Sequence, residues 1–162
     1  MKDTSLSALL AWNRSETARW QAWFAEHPAG LDVTMGTGSG TVRQEVLHVF
    51  AVDLRLAQRL LGQPVSSFEH IVAEDSNALF GLGHRAHTML ARWLAQATSA
   101  DMQNMHVFTT RNAGNFTVSS HKLFLHVCTH HIRHWAQVAA FLRAHGQAAD
   151  WPHDFILSDA LK

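Results

Sequence analysis

Histidines are concentrated in the segment HVCTHHIRHWAQ, which covers positions 126–137. Imidazole nitrogens bind zinc, nickel and related divalent ions, so this segment could hold a metal. On a helix with about 100° per residue, His130 and His134 lie roughly 40° apart, on the same stripe as the apolar Leu123 and Phe141. Such an i,i+4 pair can hold one ion, because one helical turn sets the two rings side by side. The chain contains 13 histidines, so two buried histidines that bond only to their neighbours fit the spacing equally well.

The other histidines and the cysteine of this segment lie away from that stripe. His131 lies about 100° from His130, and His126 lies on the other flank. We therefore expect both to be packing, supporting or surface residues rather than ligands. Cys128, the only cysteine of the chain, lies about 160° from His130 and thus nearly opposite it. This position predicts a small packing residue and argues against a thiolate ligand or nucleophile.

A third ligand has to come from another helix, and His48 in QEVLHVFAVDLRL is the best candidate. Helical periodicity does not single it out, since glutamine and arginine side chains share its face. His84 and His87, spaced i,i+3 in GLGHRAHTML, are alternatives that we expect to be solvated or interface histidines. The EVLH segment also matches the Glu-x-x-His pattern of di-iron bundles, which need a second such motif. The sequence contains no second Glu-x-x-His, so the di-iron interpretation is not favoured.

Glycine and proline divide the chain into helices and connections. The sequence predicts four helices, over residues 6–26, 41–61, 76–96 and 119–145. Thr41 and Gln44 fit a capping box at the start of the second helix. The glycine-rich segment 31–40 lacks the lysine of a phosphate-binding loop, and we interpret it as a connector. Polarity alternates around residues 112–115, which predicts a long loop or a small hairpin.

Four long helices without a strong strand predict an all-α fold, a four-helix bundle with long connecting loops. The C-terminal tail carries Trp151, Phe155 and Ile156, which are apolar enough to pack back on the bundle. A chain of 162 residues is long enough for one domain with a substantial core. We therefore predict a single domain over residues 1–162.

Charge and composition argue against several classes of protein. Thirteen basic and thirteen acidic residues cancel, so neither a nucleic-acid nor a membrane partner is expected. A single cysteine cannot form an internal disulfide, which favours a reducing cytoplasm. The first residues do not resemble a signal peptide, and no segment is apolar for long enough to span a bilayer. Between residues 76 and 149, Asp101 is the only carboxylate, so nearly half of the chain offers almost no acid for acid–base chemistry.

Two segments, TVRQEVLHVFAVDLRLAQRLLGQP and LHVCTHHIRHWAQVAAFLRAHG, resemble the DinB/YfiT-like superfamily of small bacterial metal-binding proteins. Members typically show a vL-H motif in helix 2 and H-x-x-x-H-R-G-Q in helix 4, followed by LR-x-x-G. The resemblance implies up-down-down-up helix topology, often a homodimer, and a divalent metal, commonly nickel or zinc, held by three histidines. Carried over by position, the ligands are His48, His130 and His134.

The helix-4 motif H-x-x-x-H-R-G-Q also matches at its glutamine, which is Gln137 in this chain. Trp135 and Ala136 stand where the family usually has Arg-Gly. This departure leaves all three implied ligands in place, and it changes the expected wall of the substrate pocket. Gln137 could hydrogen-bond a ligand histidine or a bound molecule. Glu45, one turn before His48, is the other candidate for such a supporting contact, or for a general base.

Three histidines leave an open coordination position on a zinc-like ion, which is typical of catalytic sites. The ion could bring the pKa of a bound water towards about 7 or hold a thiol as thiolate. The leading hypothesis is a metal-dependent transferase that activates a low-molecular-weight thiol and acts on a small-molecule substrate. A metal-dependent hydrolase and a non-enzymatic metal-binding or stress-response protein are the alternatives. The sequence does not decide whether the protein is an enzyme.

Overall fold

The computed structural model describes residues 4–36, 40–110 and 114–159. In this part of the chain the fold is largely helical, with five α-helices and one two-stranded sheet. The elements are α1 (Thr4–Glu26), α2 (Val42–Leu60), α3 (Ser76–Gln96), α4 (Ser99–Gln103), β1 (Met105–Thr110), β2 (Gly114–Ser119) and α5 (Ser120–Ala144). Single 3₁₀ turns occur at Pro28–Asp32, Phe68–His70 and Phe155–Leu157. The four predicted helices are confirmed as α1, α2, α3 and α5, while the short α4 was not predicted.

Local side-chain bonds explain why the long helices begin where they do. The predicted capping box of α2 is confirmed, since the Thr41 hydroxyl accepts from the amide of Gln44 and the Gln44 side chain accepts from the amide of Thr41. At α3 and α5, the side chains of Asp75 and Ser119 accept from the amides of Ala78 and Lys122. Each cap satisfies an amide that helix geometry leaves without a partner.

The connection between α4 and α5 is an antiparallel hairpin in which β1 pairs with β2. The small hairpin that the sequence predicts is therefore confirmed, and its strands extend well beyond the alternating residues that indicated it. Residues 112 and 113 of the alternating segment lie outside the described part of the chain, as do 37–39 of the glycine-rich connector. In the register, Phe108 lies directly opposite Phe116, so two aromatic rings share one face of the hairpin.

The described residues form two large apolar clusters between the long helices and a small third one of Ala51, Leu54, Ile71 and Ala86. α2 packs against α3 and α5, and α1 packs against the same two helices. One large cluster includes Trp20, Phe24, Phe50, Phe80 and Trp135. The other includes Leu56, Leu90, Trp93, Phe124 and Val127.

A buried polar layer lies between the two large apolar clusters on each of the four helices. On α2, for example, Asp53 separates Phe50 of one cluster from Leu56 of the other. The layer consists of Asn13, Glu16, Thr17, Asp53, His87, His130, His131 and His134. Four of its eight members are histidine or aspartate residues on α2 and α5, so the site predicted from sequence falls in this layer.

The C-terminal tail packs on α1, as predicted for two of its three apolar residues. The ring centroid of Trp151 lies 4.9 Å from that of Trp20, and Phe155 contacts Trp12 edge-on at 5.8 Å. The buried Glu16 carboxylate accepts hydrogen bonds from the tail. The prediction for Ile156 is wrong, because the 3₁₀ turn at Phe155–Leu157 directs it outward and leaves it 88% exposed. Within the described ranges, no helix is both long and apolar enough to cross a membrane.

Candidate metal centre

Three histidines converge where α2 packs against α5. His48 of α2 and His130 and His134 of α5 each offer a ring nitrogen, and these atoms all lie within 4.8 Å of one another. The ring centroids of His130 and His134 are 4.2 Å apart, and His48 lies 5.2 Å from each. A zinc-like ion with bonds of about 2 Å needs donor atoms roughly 3.3 Å apart, so small side-chain rotations would bring all three into range. We refer to these residues as the outer triad.

The outer triad is open on one side only. His130 and His134 are buried, with 7% and 6% of their surface exposed, whereas His48 is exposed. The exposed ring of His48 faces Phe68, which follows α2 in the chain, with centroids 6.4 Å apart. His48 thus lies at the edge of the α2–α5 contact, where a small molecule can approach.

The hydrogen bonds of His134 indicate which of its two ring nitrogens carries the proton. Its Nδ1 bonds Glu45, and its Nε2 lies 2.7 Å from the guanidinium of Arg133. A guanidinium only donates, so Nε2 accepts, and Nδ1 carries the proton and donates it to the Glu45 carboxylate. A carboxylate in this position orients a ligand histidine and raises its basicity. Glu45, one of the two supporting residues suggested by sequence, therefore contacts the triad.

Gln137, the other suggested supporting residue, is exposed on α5. Among the hydrogen bonds of the described residues, none joins Gln137 to a histidine of the outer triad. The contact predicted for a bound molecule stays a prediction.

Burial disfavours the charged form of two histidines of the outer triad, His130 and His48. Burial, followed by the charge of His134, lowers the pKa of His130 to about 3. Burial also lowers the pKa of His48, and His134 adds to the effect, while Glu45 and Asp53 oppose it. Neutral imidazoles keep the lone pair that a metal ion needs.

One nitrogen of the outer triad is left without a protein partner. The buried Nδ1 of His130 has no hydrogen bond within the described part of the chain. An unpaired buried polar atom costs free energy, and coordination of an ion would remove that cost. Three imidazoles, one of them with an unpartnered nitrogen, fit a divalent metal ion.

A second group, the inner cluster of Asp53, His87 and His131, lies deeper in the polar layer. Its potential ligand atoms also lie within 4.8 Å of one another, and the three residues are at most 1% exposed. Nδ1 of His131 lies 2.9 Å from Oδ2 of Asp53, and Nε2 of His87 lies 3.6 Å from the same oxygen. Distance alone therefore does not separate this group from the outer triad.

Hydrogen bonds to core side chains tie His131 of the inner cluster into the fold. The indole N–H of Trp135 lies 2.7 Å from Nε2 of His131, and the hydroxyl of Thr17 lies 3.1 Å from it. Because an indole only donates, Nε2 accepts, and Nδ1 carries the proton that bonds Asp53. Both nitrogens of His131 are therefore engaged, and the inner cluster has the character of a structural network that joins α1, α2 and α5.

The inner network holds a buried charge on Asp53. Burial by itself raises the pKa of this carboxyl, but the hydrogen bond from His131 and the nearby His87 outweigh it and bring the pKa to about 2. Burial lowers the pKa of His87, so that ring is neutral beside the carboxylate. Oδ1 of Asp53 and both nitrogens of His87 lack hydrogen bonds among the described residues.

The remaining histidines and the cysteine show which sequence expectations hold. His84 is exposed and bonds Gln21 of α1 at 2.6 Å, as expected for an interface histidine, but the same expectation is wrong for His87. His126 is exposed, and its ring lies 5.3 Å from that of His130. Cys128 is buried in an apolar cluster, as predicted, and burial raises the pKa of its thiol to about 12.

The fold and the outer triad together define a helical protein with a candidate three-histidine metal centre. The DinB family model matches residues 1–154. Because this match covers nearly the whole sequence, the chain belongs to the DinB family. No curated protein matches the sequence.

Proposed function

We propose that this DinB-family protein is a metal-dependent enzyme that activates a low-molecular-weight thiol for attack on a small electrophile. His48, His130 and His134 hold one divalent ion, nickel or zinc. The observation that carries the proposal is the set of three imidazole nitrogens within 4.8 Å of one another. In support, the buried Nδ1 of His130 has no hydrogen-bond partner among the described residues.

A bound divalent ion supplies a Lewis acid that favours the thiolate form of a thiol or the hydroxide form of water. The chain's own residues prepare the donor set for it. Glu45 holds the proton on Nδ1 of His134, which leaves Nε2 as the donor atom. Arg133 occupies that lone pair in this structure, so its guanidinium has to release Nε2 when the ion is held.

The carboxylates near the outer triad are already engaged. Glu45 bonds His134, and Asp53 bonds His131. Glu45 orients His134, and Asp53 is fully buried, whereas a general base acts within hydrogen-bond reach of the substrate proton. This arrangement supports a mechanism in which a metal ion, rather than a protein base, activates the nucleophile. The nucleophile could be a thiol or a water molecule. A metal-dependent hydrolase is therefore the second candidate.

Further parts of the proposal have other sources. The up-down-down-up order of the helices and a homodimer come from the family resemblance, and a reducing, cytoplasmic environment comes from the single cysteine. Light scattering after size-exclusion chromatography tests the dimer directly.

The catalytic proposal is tested with the metal-loaded protein, small thiols such as glutathione and cysteine, and the electrophile monochlorobimane. In the expected reaction the sulfur–carbon bond forms, chloride leaves and the thiol proton passes to solvent. We expect turnover that depends on both the metal and the thiol and that is lost in His134→Ala. The exposed His84→Ala is the matched control and should be fully active.

Two outcomes decide against thiol transfer. Ester hydrolysis by the metal-loaded protein in the absence of thiol, with no bimane adduct, would favour the hydrolase. Metal binding without either reaction, across a panel of thiols and esters, would favour the non-enzymatic alternative.

A further inference from the structure

A cavity of about 300 Å³ lies between α2, α5 and the β1–β2 hairpin. Most of its lining is apolar and includes Val52, Leu56, Phe108, Phe116, Val118 and Leu123. Phe68 and His126 also line it, and these two residues connect it to the outer triad. The ring of Phe68 faces His48, and the ring of His126 lies 5.3 Å from that of His130. The cavity is therefore separate from the metal centre and next to it.

The hairpin side of the cavity is an aromatic wall. Phe108 and Phe116 are stacked across the two strands, with centroids 5.6 Å apart and planes 15° apart. Phe116 keeps 39% of its surface exposed. A flat apolar ligand that covers this wall would remove that surface from water, which is favourable in proportion to the area covered.

Cations gather around the same cavity. Arg55 and Lys122 line it, and the Arg59 guanidinium lies 4.4 Å from the centre of the Phe108 ring. Arg55 packs over Phe68 at 4.1 Å and also bonds the carbonyl oxygen of Ser66.

No acidic residue balances these cations inside the cavity. Its lining contains no aspartate or glutamate. Among the described residues, none of the three cations forms an ion pair with a carboxylate. Burial and then repulsion by Arg59 lower the pKa of Arg55, while Glu69 partly opposes them. An anion in the cavity would relieve this repulsion.

We propose that this cavity binds a small organic anion with a flat, apolar body, which covers Phe108 and Phe116 while its acidic group faces Arg55 and Lys122. The proposal rests on the proposed function, because it names the substrate class that the neighbouring metal centre acts on. The apolar lining explains the preference for a flat body, and the unpaired cations explain the preference for an anion.

The test compares two fluorescent probes with similar ring systems, anilinonaphthalene sulfonate and the uncharged N-phenylnaphthylamine. Both are titrated into the folded, full-length protein. We expect the sulfonate to bind about tenfold more tightly, since one well-placed charge contact supplies an effect of that size. Lys122→Met should remove most of this difference by weakening the sulfonate alone. Phe116→Ala should weaken both probes.

The control is Arg143→Met, which removes an exposed cation on the same helix. It lies about 30 Å along α5 from Lys122 and should leave both affinities unchanged. Arg55→Met should act like Lys122→Met, but Arg55 also holds the segment that contains Ser66. Lys122 is exposed and has no such role among its described contacts, so it is the deciding variant. Near-UV circular dichroism checks that every variant keeps its tertiary packing, because loosened proteins also bind the sulfonate.

The proposal is overturned if the two probes bind equally, or if Arg143→Met weakens the sulfonate as much as Lys122→Met does. His48→Ala separates this result from the proposed function. It should impair metal binding and keep the difference between the probes. Charge-selective binding in a protein that binds no metal would support the cavity proposal and refute the catalytic one.

Discussion

The outer triad and the inner cluster share α2 and α5, but the inner cluster also includes His87 of α3 and is fully buried, whereas the outer triad reaches solvent at His48. His130 of the outer triad and His131 of the inner cluster are neighbours in sequence, and both are buried. The ligand atoms of both groups satisfy the same distance limit. Each group also contains both kinds of histidine: Nδ1 of His130 and both nitrogens of His87 have no described partner, whereas both nitrogens of His134 and of His131 are engaged. Closeness of ligand-type residues is therefore insufficient evidence for a metal site, and the lone pairs have to be accounted for one by one.

The two groups are also coupled through charge. Asp53, in the inner cluster, acts to raise the pKa of His48 and of His130 in the outer triad. Its negative charge would equally favour a cation held by those residues. The inner cluster thus has two roles in this account, to join the helices and to supply a buried countercharge to the metal centre.

The largest expected effect is on stability when the inner carboxylate is removed. Asp53→Ala leaves the buried N–H of His131 without an acceptor, which should lower the free energy of unfolding by about 3 kcal/mol. Urea unfolding of the metal-free protein measures it. Asp150→Ala, at an exposed aspartate, is the control and should change the value by less than about 0.5 kcal/mol. Similar losses in the two variants would mean that the inner network does not stabilise the fold.

Acidification should reduce the stability that the inner cluster gives to the fold, because it protonates the Asp53 carboxylate. The pKa of Asp53 is about 2 in the folded protein and about 3.8 without the fold, a difference that corresponds to about 2 kcal/mol. Because the folded pKa is the lower one, this stabilisation is present above about pH 4 and is lost as the pH falls towards 2. The pKa of His87 is also lower in the folded protein. Acidification below the ordinary pKa of histidine therefore reduces the free energy of unfolding through this residue too.

Asp53→Asn provides the comparison, since it removes this titration and keeps an acceptor oxygen. Unfolding free energies of the metal-free proteins between about pH 5 and 2.5 should fall more steeply for the unchanged protein than for Asp53→Asn. Parallel curves would show that Asp53 is not held ionised by the fold.

A smaller effect is expected on the outer triad when its supporting carboxylate is changed. Glu45→Gln keeps the shape of the side chain but weakens the hydrogen bond from His134, so metal affinity should fall about tenfold. Competition with a fluorescent chelator measures the affinity. The control is Gln137→Ala, on the exposed face of α5, which should leave the metal affinity unchanged. Gln44→Glu is unsuitable as a control because Gln44 caps α2. A larger loss in Gln137→Ala than in Glu45→Gln would reverse the assignment of the supporting residue.

Features set by local sequence could be predicted. The capping box fixed the start of α2, and the i,i+4 spacing placed His130 and His134 on one face of α5. His48 could not be ranked by periodicity, because it lies at the exposed edge of the helix contact rather than on the apolar stripe. Its position depends on how α2 packs against α5, which is a tertiary property.

For two residues of the inner cluster, Asp53 and His87, helical periodicity in the sequence already indicated a buried position. Asp53 lies on the apolar stripe of α2, one turn from both Phe50 and Ala57, which are buried. Gly83 on α3 packs so closely on Phe50 that a Cβ at this position would lie 2.5 Å from the ring. His87, one turn after Gly83, therefore faces the core, although its polarity suggested the surface. The bond from Trp135 to His131 follows from rotamers that the core imposes, so sequence alone could not supply the proton positions.

The most direct test of the account is the metal content of two variants, one from each group, measured by elemental analysis after saturation with zinc or nickel and removal of excess. The account predicts about one ion per chain in the unchanged protein, loss of the ion in His130→Ala, and retention in folded His87→Ala. Two ions per chain, or an ion that His130→Ala keeps and folded His87→Ala loses, would contradict it.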